Sequence, residues 1–260
     1  MPKPQVHIVK IGGGILEDTV RLEALLQDFA SLKGPKILVH GGGRDASLLE
    51  AQLGIPTTMI DGRRVTSSES LKVVTMMYAG WTNKSIVSLL QSFGVNALGL
   101  SGADGNVIEA RKRTPSPVDY GYVGDIHQVD ASGITGIMEA GFTPVFCAIT
   151  HDKKGQLLNT NADTIAAAIA AALTEQYDVR LTYCFEKQGV LLDLNDPLSL
   201  LTELNRQKFE ELVDQGVIHQ GMLPKLNNCF TALKLGVGHI EIGSESMLQK
   251  PEQPRTTIIH

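Results

Sequence analysis

The residues best able to do chemistry in this chain are two lysines and two glycine runs. Lys10 closes the apolar stretch 6–9 and leads into Ile11-Gly12-Gly13-Gly14, while Ile37-Leu38-Val39 leads into His40-Gly41-Gly42-Gly43. Each reads as a buried strand ending in a loop without side chains. Bare backbone N–H groups at such a loop, with a helix starting behind them, form an anion hole suited to phosphate. Lys10 adds a fixed positive charge. Two such loops early in one α/β domain imply a highly charged transition state, the requirement of phosphoryl transfer. Lys225, in Gln220-Gly221-Met222-Leu223-Pro224-Lys225, falls just inside a helix start. A cation suits that end of a helix only when an anion sits there too, which again points to phosphate.

Two further groups could hold a small acid. Arg64, in Asp61-Gly62-Arg63-Arg64-Val65-Thr66, is either a solvated charge or a forked clamp on a carboxylate. Asn159-Thr160-Asn161-Ala162-Asp163 precedes an Ala-rich helix and can cap it. Two Asn and one Asp exceed the needs of one cap, so a polar site at that helix start is also expected.

Other chemistries fit less well. No Gly-x-x-x-x-Gly-Lys-Ser/Thr loop occurs. Gly41-Gly42-Gly43-Arg44-Asp45-Ala46 matches a loose dinucleotide fingerprint, but Asp61-Gly62 reads as a turn rather than the acidic strand end this requires. His-Gly-Gly-Gly with Gly99-Leu100-Ser101-Gly102-Ala103 approaches a hydrolase oxyanion hole and nucleophile elbow. Ala103 stands where the elbow needs glycine, Asp104-Gly105-Asn106 makes a turn where it needs a helix, and His219 is the one later histidine in a plausible loop.

The elements that must position these residues follow from periodicity. Short apolar strands at 6–10, 36–40, 97–100, 143–148, 180–185 and 239–242 alternate with helical patterns at 19–32, 46–53, 67–93, 131–140, 164–173, 205–215 and 223–235. Such alternation predicts an α/β fold with a mainly parallel sheet covered on both faces. Residues 102–128 are rich in turn chemistry and read as a β-hairpin excursion at the sheet's carboxyl edge. Residues 153–155 are expected to mark a hinge between lobes 1–154 and 155–260 of one continuous sheet.

A chain of 260 residues, 43% hydrophobic, can bury a large core. Its formal charge of −5 argues against nucleic acid, and Arg111-Lys112-Arg113, read as a solvated loop, is too short to alter that. Cys147, Cys184 and Cys229 are far apart and read as small core hydrophobes in a reducing compartment. No apolar run reaches the ~18 residues of a membrane span, and no signal region is apparent, so a soluble cytoplasmic protein is expected.

Taken together, Lys10 to Gly13, His40 to Gly43, Gly62 to Thr66, Ala79-Gly80-Trp81-Thr82-Asn83-Lys84, Asn159 to Asp163 and Gly221 to Lys225 resemble the motifs of the amino acid kinase family, in order and over nearly the whole chain. The likeness is to the branch that acts on N-acetyl-L-glutamate in arginine biosynthesis. It implies a three-layer α/β/α sandwich with about eight central strands, an N-terminal lobe for the acylated amino acid and for dimerisation, and a C-terminal lobe for ATP. It also implies ATP-dependent phosphorylation of the γ-carboxylate of N-acetyl-L-glutamate or a related N-acyl-L-glutamate. Another amino acid kinase, acting on glutamate, aspartate or carbamate, and a non-catalytic sensor on the same fold are the alternatives. Carried over residue by residue, Lys10 and Lys225 neutralise the transferring phosphoryl group and Asp163 holds both lysines. Gly12, Gly13, Gly42 and Gly43 donate backbone N–H groups to the phosphates and the attacking carboxylate, and Arg64 and Asn159 hold the α-carboxylate. Magnesium enters with ATP, and no protein metal site is implied.

The sequence departs from the family in places. Phe185-Glu186-Lys187-Gln188 stands where the family usually has a Ser/Thr-Asp pair, and Arg255-Thr256 where it usually has Gly-Thr. Trp81, at a helix position where smaller residues are common, either shapes the acyl pocket or packs in the core. Arginine-inhibited hexameric members carry an extra helix ahead of the first strand, whereas five residues precede Val6 here. A homodimer insensitive to arginine is therefore expected.

Overall fold

The computed structural model describes residues 2–60, 63–193, 195–218, 222–248, 250 and 252–260. Asp61, Gly62, His219, Gln220 and Gly221, invoked above, lie outside the described residues. The chain opens with strand β1 (Gln5–Ile11), helices α1 (Gly13–Glu17) and α2 (Thr19–Ser31), β2 (Lys36–His40) and α3 (Gly43–Gln52). The short strands β3 (Thr58–Ile60) and β4 (Arg63–Val65) come next. A long helical run then comprises α4 (Ser68–Thr75), a π-helical stretch Met76–Thr82, and α5 (Asn83–Ser92). After β5 (Ala97–Leu100) come β6 (Ile108–Lys112), β7 (Gly124–Val129), α6 (Ala131–Glu139), β8 (Thr143–Phe146), β9 (Ile149–His151) and β10 (Leu157–Asn159). The remainder holds α7 (Ala162–Leu173), β11 (Asp178–Cys184), β12 (Val190–Leu191), β13 (Leu200–Leu201), β14 (Glu203–Leu204), α8 (Arg206–Asp214), α9 (Leu223–Lys234), β15 (His239–Gly243) and β16 (Arg255–Ile258).

The principal sheet is eight-stranded and mostly parallel, in the order β14-β16-β15-β11-β1-β2-β8-β5. The one antiparallel pair described in it, β15 with β16, joins a strand the periodicity did not anticipate. The chain divides into two compact units, Met1–Lys36 with Ala166–His260, and Ile37–Ile165. The sequence places a boundary at 154/155 and assigns β1 to the N-terminal lobe. In the structure β1 groups with the C-terminal segment because all seven of its residues are in parallel register with β11.

Within the first unit, Val6, Ile8, Leu181, Ile240, Ile242 and Ile258 form a buried layer across the strands. Helix α2 begins at Asp18, whose side chain accepts from the N–H groups of Val20 and Arg21 and fills the N-cap. In the second unit, β6 and β7 pair antiparallel as expected, but β9 and β10 join them in a separate four-stranded sheet, β10-β9-β6-β7. The stretch expected as a hairpin excursion is thus half of a small sheet. Arg111 and Lys112 lie on β6 rather than in a loop, and Arg113 just beyond them pairs with Asp125.

The helix expected over 67–93 contains the π-helical stretch, and its neighbours explain why. Tyr78 must face Gly42 and Asn83 must face His40. Residues five apart fall on different sides of an α-helix. A wider i→i+5 turn brings them to one side. Trp81, in the same stretch, is 70% exposed, so it packs in no core. None of the three cysteines is in a disulfide and all are buried, and burial pushes the Cys147 thiol up to about 12.

Candidate functional site

In the first unit, parallel register sets Lys10 beside Tyr183 and Ile11 beside Cys184. The chain then leaves the strand at Gly12, whose N–H donates to the Cys184 carbonyl at 2.7 Å. A Cβ on Gly12 would lie 3.0 Å from that carbonyl oxygen and 3.1 Å from Cβ of Phe185, so only glycine fits there comfortably. Gly13 has nothing within 4 Å of its would-be Cβ, which leaves the loop open to a ligand. At Gly14 the same point is occupied by the carboxylate of Glu186.

Lys225 comes from the other end of this unit's sequence. Pro224 sits in the first turn of α9, where its missing N–H costs no helical hydrogen bond. Lys225 follows, and it is buried rather than spread over the surface: Lys10 and Lys225 are each only 8% exposed. Nζ of Lys225 lies 5.2 Å from the centroid of the Tyr183 ring, the same tyrosine that neighbours Lys10 in register. Two sequestered lysines at one tyrosine, next to an open glycine loop, form a positive seat in a low-dielectric surrounding. Such a seat binds anionic oxygens far more strongly than a solvated lysine would.

The second unit carries the other sequence-predicted residues. Fully buried His40 ends β2. Its Nε2 meets the Asn83 side-chain amide at 3.0 Å, and that amide also donates to the Val145 carbonyl at 2.9 Å. An amide donor leaves Nε2 as an acceptor, so Nδ1 carries the proton and donates to the Gly41 carbonyl at 2.8 Å. His40 and Asn83 therefore tie the start of the second glycine loop to β8. Gly42 has φ of 144°, and a Cβ there would sit 3.0 Å from the Tyr78 ring. Gly42→Ala is thus expected to destabilise the fold by about 1–3 kcal/mol, which a urea melt checks.

Arg64 is buried in β4, not solvated. Nη2 donates to the Gly43 carbonyl at 2.7 Å and to Oγ of Ser47 at 2.6 Å, and Nη1 donates to Glu50. Glu50 is itself fully buried and also accepts from the hydroxyls of Thr57 and Ser70. Burial pushes the Tyr78 phenol upward, with the nearby Arg64 guanidinium pulling the other way. Thr66 ties this group to Asn159: its Oγ1 accepts from Nδ2 of Asn159 at 3.0 Å and donates to the Arg64 carbonyl at 3.3 Å. The structure thus joins Gly43, Arg64 and Asn159 in one hydrogen-bonded network. At α7 the cap is Asn161, whose side chain accepts from the N–H groups of Asp163 and Thr164. That frees Asn159 for Thr66 and leaves Asp163 in the first helical turn.

Sequence reasoning missed Glu50, Tyr78 and the aromatic neighbours of Lys225. Glu50 had one available signal, since it falls four residues after Ala46, on the only face of α3 that is buried.

A mostly parallel α/β sheet with glycine loops after β1 and β2 and two sequestered lysines defines a phosphotransfer fold. The model of the amino acid kinase family matches residues 5–244, and the chain belongs to that family. It is 51% identical over 97% of its length to the acetylglutamate kinase of Bacteroides thetaiotaomicron, covering 98% of that protein. To the acetylglutamate kinase of Methanopyrus kandleri it is 38% identical, over 89% of this chain and 92% of that one. Among solved structures, smu.665 of Streptococcus mutans superposes with a TM-score of 0.80 at 27% identity, covering 97% of this chain and 98% of the other. The carbamate kinase of Giardia shares the fold, with a TM-score of 0.67 at 13% identity over 100% of this chain and 99% of that one.

Proposed function

We propose that this chain transfers the γ-phosphoryl group of ATP to the γ-carboxylate of N-acetyl-L-glutamate, giving the acyl phosphate and ADP in the arginine biosynthetic route. The observation that carries the reaction type is the pair of buried lysines at Tyr183 beside the open glycine loop. The acceptor follows from similarity to the acetylglutamate kinases.

The chemistry needs no general base. A γ-carboxylate, with a reference pKa of ~4.3, is already ionised at neutral pH. Catalysis then reduces to positioning and charge stabilisation. In this reading Lys10 and Lys225 neutralise the charge on the transferring phosphoryl oxygens, and Asp163 is the carboxylate that orients the two ammonium groups. Backbone N–H groups at Gly12 and Gly13 receive the nucleotide phosphates, and those at Gly42 and Gly43 receive the attacking carboxylate. Three N–H groups of Arg64 are committed to Glu50, Gly43 and Ser47. The guanidinium also hydrogen-bonds the Tyr78 phenol, and what remains of its five N–H groups, with the amide of Asn159, holds the α-carboxylate. In this reading the unit of residues 37–165 serves the acyl amino acid, and the unit of residues 1–36 with 166–260 serves the nucleotide. Magnesium comes with ATP, taking phosphate oxygens and waters as its ligands. Among the described residues no group of three His, Cys, Asp or Glu side chains is arranged to hold a metal.

The working form in this reading is a cytoplasmic homodimer. No helix among the described residues is long and apolar enough to cross a membrane. Trp81, and Met76 at 54% exposure, present apolar surface on one helical run, and β5 ends the order of the principal sheet. Trp81→Glu is expected to convert a dimer to a monomer in sedimentation equilibrium. A monomeric parent protein would contradict the assembly.

An acyl-phosphate trap tests the reaction. With hydroxylamine and Mg-ATP, hydroxamate should form from N-acetyl-L-glutamate and not from free L-glutamate or L-aspartate, with N-succinyl-L-glutamate reporting how long an acyl group is accepted. Signal only from the free amino acids, or none at all, would overturn the assignment.

A further inference from the structure

The segment that departs from the family pattern sits against the lysine seat. Nζ of Lys225 lies 5.2 Å from the Tyr183 ring centroid and 6.0 Å from that of Phe185. Both fall within the ~6 Å over which an aromatic face attracts a cation. Tyr183 is fully buried and Phe185 nearly so, which raises the worth of each contact by excluding water. Phe185 is also anchored: its N–H donates to the Gly243 carbonyl at 2.9 Å, and its Cβ abuts Gly12 of the first glycine loop. One residue therefore touches the loop that receives phosphate and the ammonium that neutralises it, while Tyr183 links both to Lys10 through strand register.

We propose that Phe185, together with Tyr183, is a positioning residue for phosphoryl transfer, its ring face holding the Lys225 ammonium at the height of the Gly12–Gly13 loop. The proposal rests on Lys225 acting as the phosphoryl-neutralising group. A lysine ends a flexible four-carbon stem, and fixing its charge before the nucleotide arrives removes a reorganisation cost from the transfer step. An aromatic face adds to the hold of Asp163 without placing a second formal negative charge against the ammonium. It also gives a reason for a bulky aromatic at position 185, where the family usually has a small hydroxyl residue.

Fluorination tests this, because 4-fluoro- and 3,4,5-trifluorophenylalanine at position 185 keep the ring's shape while draining its π-density. Turnover should fall stepwise along the series, by about fivefold at the trifluoro ring, and by about tenfold in Phe185→Leu. KM for N-acetyl-L-glutamate should stay at the parent value throughout, and the melting temperature should stay there along the fluorine series, whose rings keep the packing that Phe185→Leu loses. A flat kcat across the fluorine series, or full turnover in Phe185→Leu, overturns the proposal. If the parent protein phosphorylates no acceptor, the reaction assignment fails instead. The series is then read from the 15N chemical shift of Lys225 Nζ in 15N-lysine-labelled protein, which should move stepwise as fluorine is added; an unmoved resonance overturns the aromatic seat.

Discussion

Lys10→Arg is expected to lower kcat by about a thousandfold, the scale of losing one preorganised charge at a developing anion. Positive charge is kept in this variant, so the effect isolates geometry. Lys10 is buried at the end of β1, in register with Tyr183, and its compact ammonium reaches one point in the seat. A guanidinium is planar and larger, carries its charge over three nitrogens, and cannot occupy that point. The β1–β11 pairing is a backbone property and survives the change, so far-UV circular dichroism and the melting transition should remain close to the parent's. Near-parent turnover in Lys10→Arg would remove Lys10 from the chemistry.

Glu50→Gln is expected to cost about 3–5 kcal/mol of stability, because it leaves the buried Arg64 without its counter-charge. The amide keeps the size of the side chain, so cavity formation contributes little. Glu50 accepts from Arg64, Thr57 and Ser70 with no solvent access, and an amide cannot accept from all three on its single oxygen. The urea midpoint should fall with the m-value unchanged. Replacing both partners, Glu50→Leu with Arg64→Met, should recover most of the loss, since an apolar pair of similar volume often matches a buried ion pair. On the role proposed for Arg64, the double variant should still fail to bind the acceptor, which separates its part in the fold from that role. A single Glu50→Gln variant as stable as the parent would show that the pair carries no such weight.

The placement of the glycine loops and of the two lysines was legible in the sequence wherever it is local. Gly12, Gly13, Gly42 and Gly43 follow strands directly, and a strand-to-glycine transition is a backbone signal that survives without an alignment. Lys10 and Lys225 stand next to such punctuation, and the structure buries both. What was illegible depends on contacts distant along the chain. Glu50 sits in a helix of mixed polarity, and only its meeting with Arg64 fourteen residues later turns it from a solvated charge into a buried anchor. Tyr183 and Phe185 read as strand core, and their second role exists only because α9 brings Lys225 back over them.

The π-helical stretch was hidden for a different reason. Its residues Met76-Met77-Tyr78-Ala79-Gly80-Trp81-Thr82 carry ordinary helical periodicity, and the wide turn is imposed by Gly42 and His40 pulling on Tyr78 and Asn83. Trp81 followed from that geometry: facing away from the glycine loop, it is left on the surface rather than in the core. Strand β16 escaped notice because Arg255-Thr256-Thr257-Ile258 is short and half polar. Thr256 earns its place through its hydroxyl, which accepts from the Val190 N–H at 2.8 Å and donates to the Leu201 carbonyl at 2.6 Å.

The central claim is that a substrate carboxylate, with no base to assist it, attacks the γ-phosphorus of ATP. It is tested most directly with N-acetyl-L-glutamate carrying 18O in both oxygens of its γ-carboxylate, incubated with Mg-ATP and hydroxylamine. Attack by the carboxylate makes one labelled oxygen the bridge of the acyl phosphate. Hydroxylamine then attacks the carbonyl carbon, so each phosphate leaves with one 18O, in equal amount to the hydroxamate formed. Mass spectrometry of the released phosphate should show that single label. Phosphate of natural isotopic composition would mean that water, not the substrate, receives the phosphoryl group, and would contradict the account.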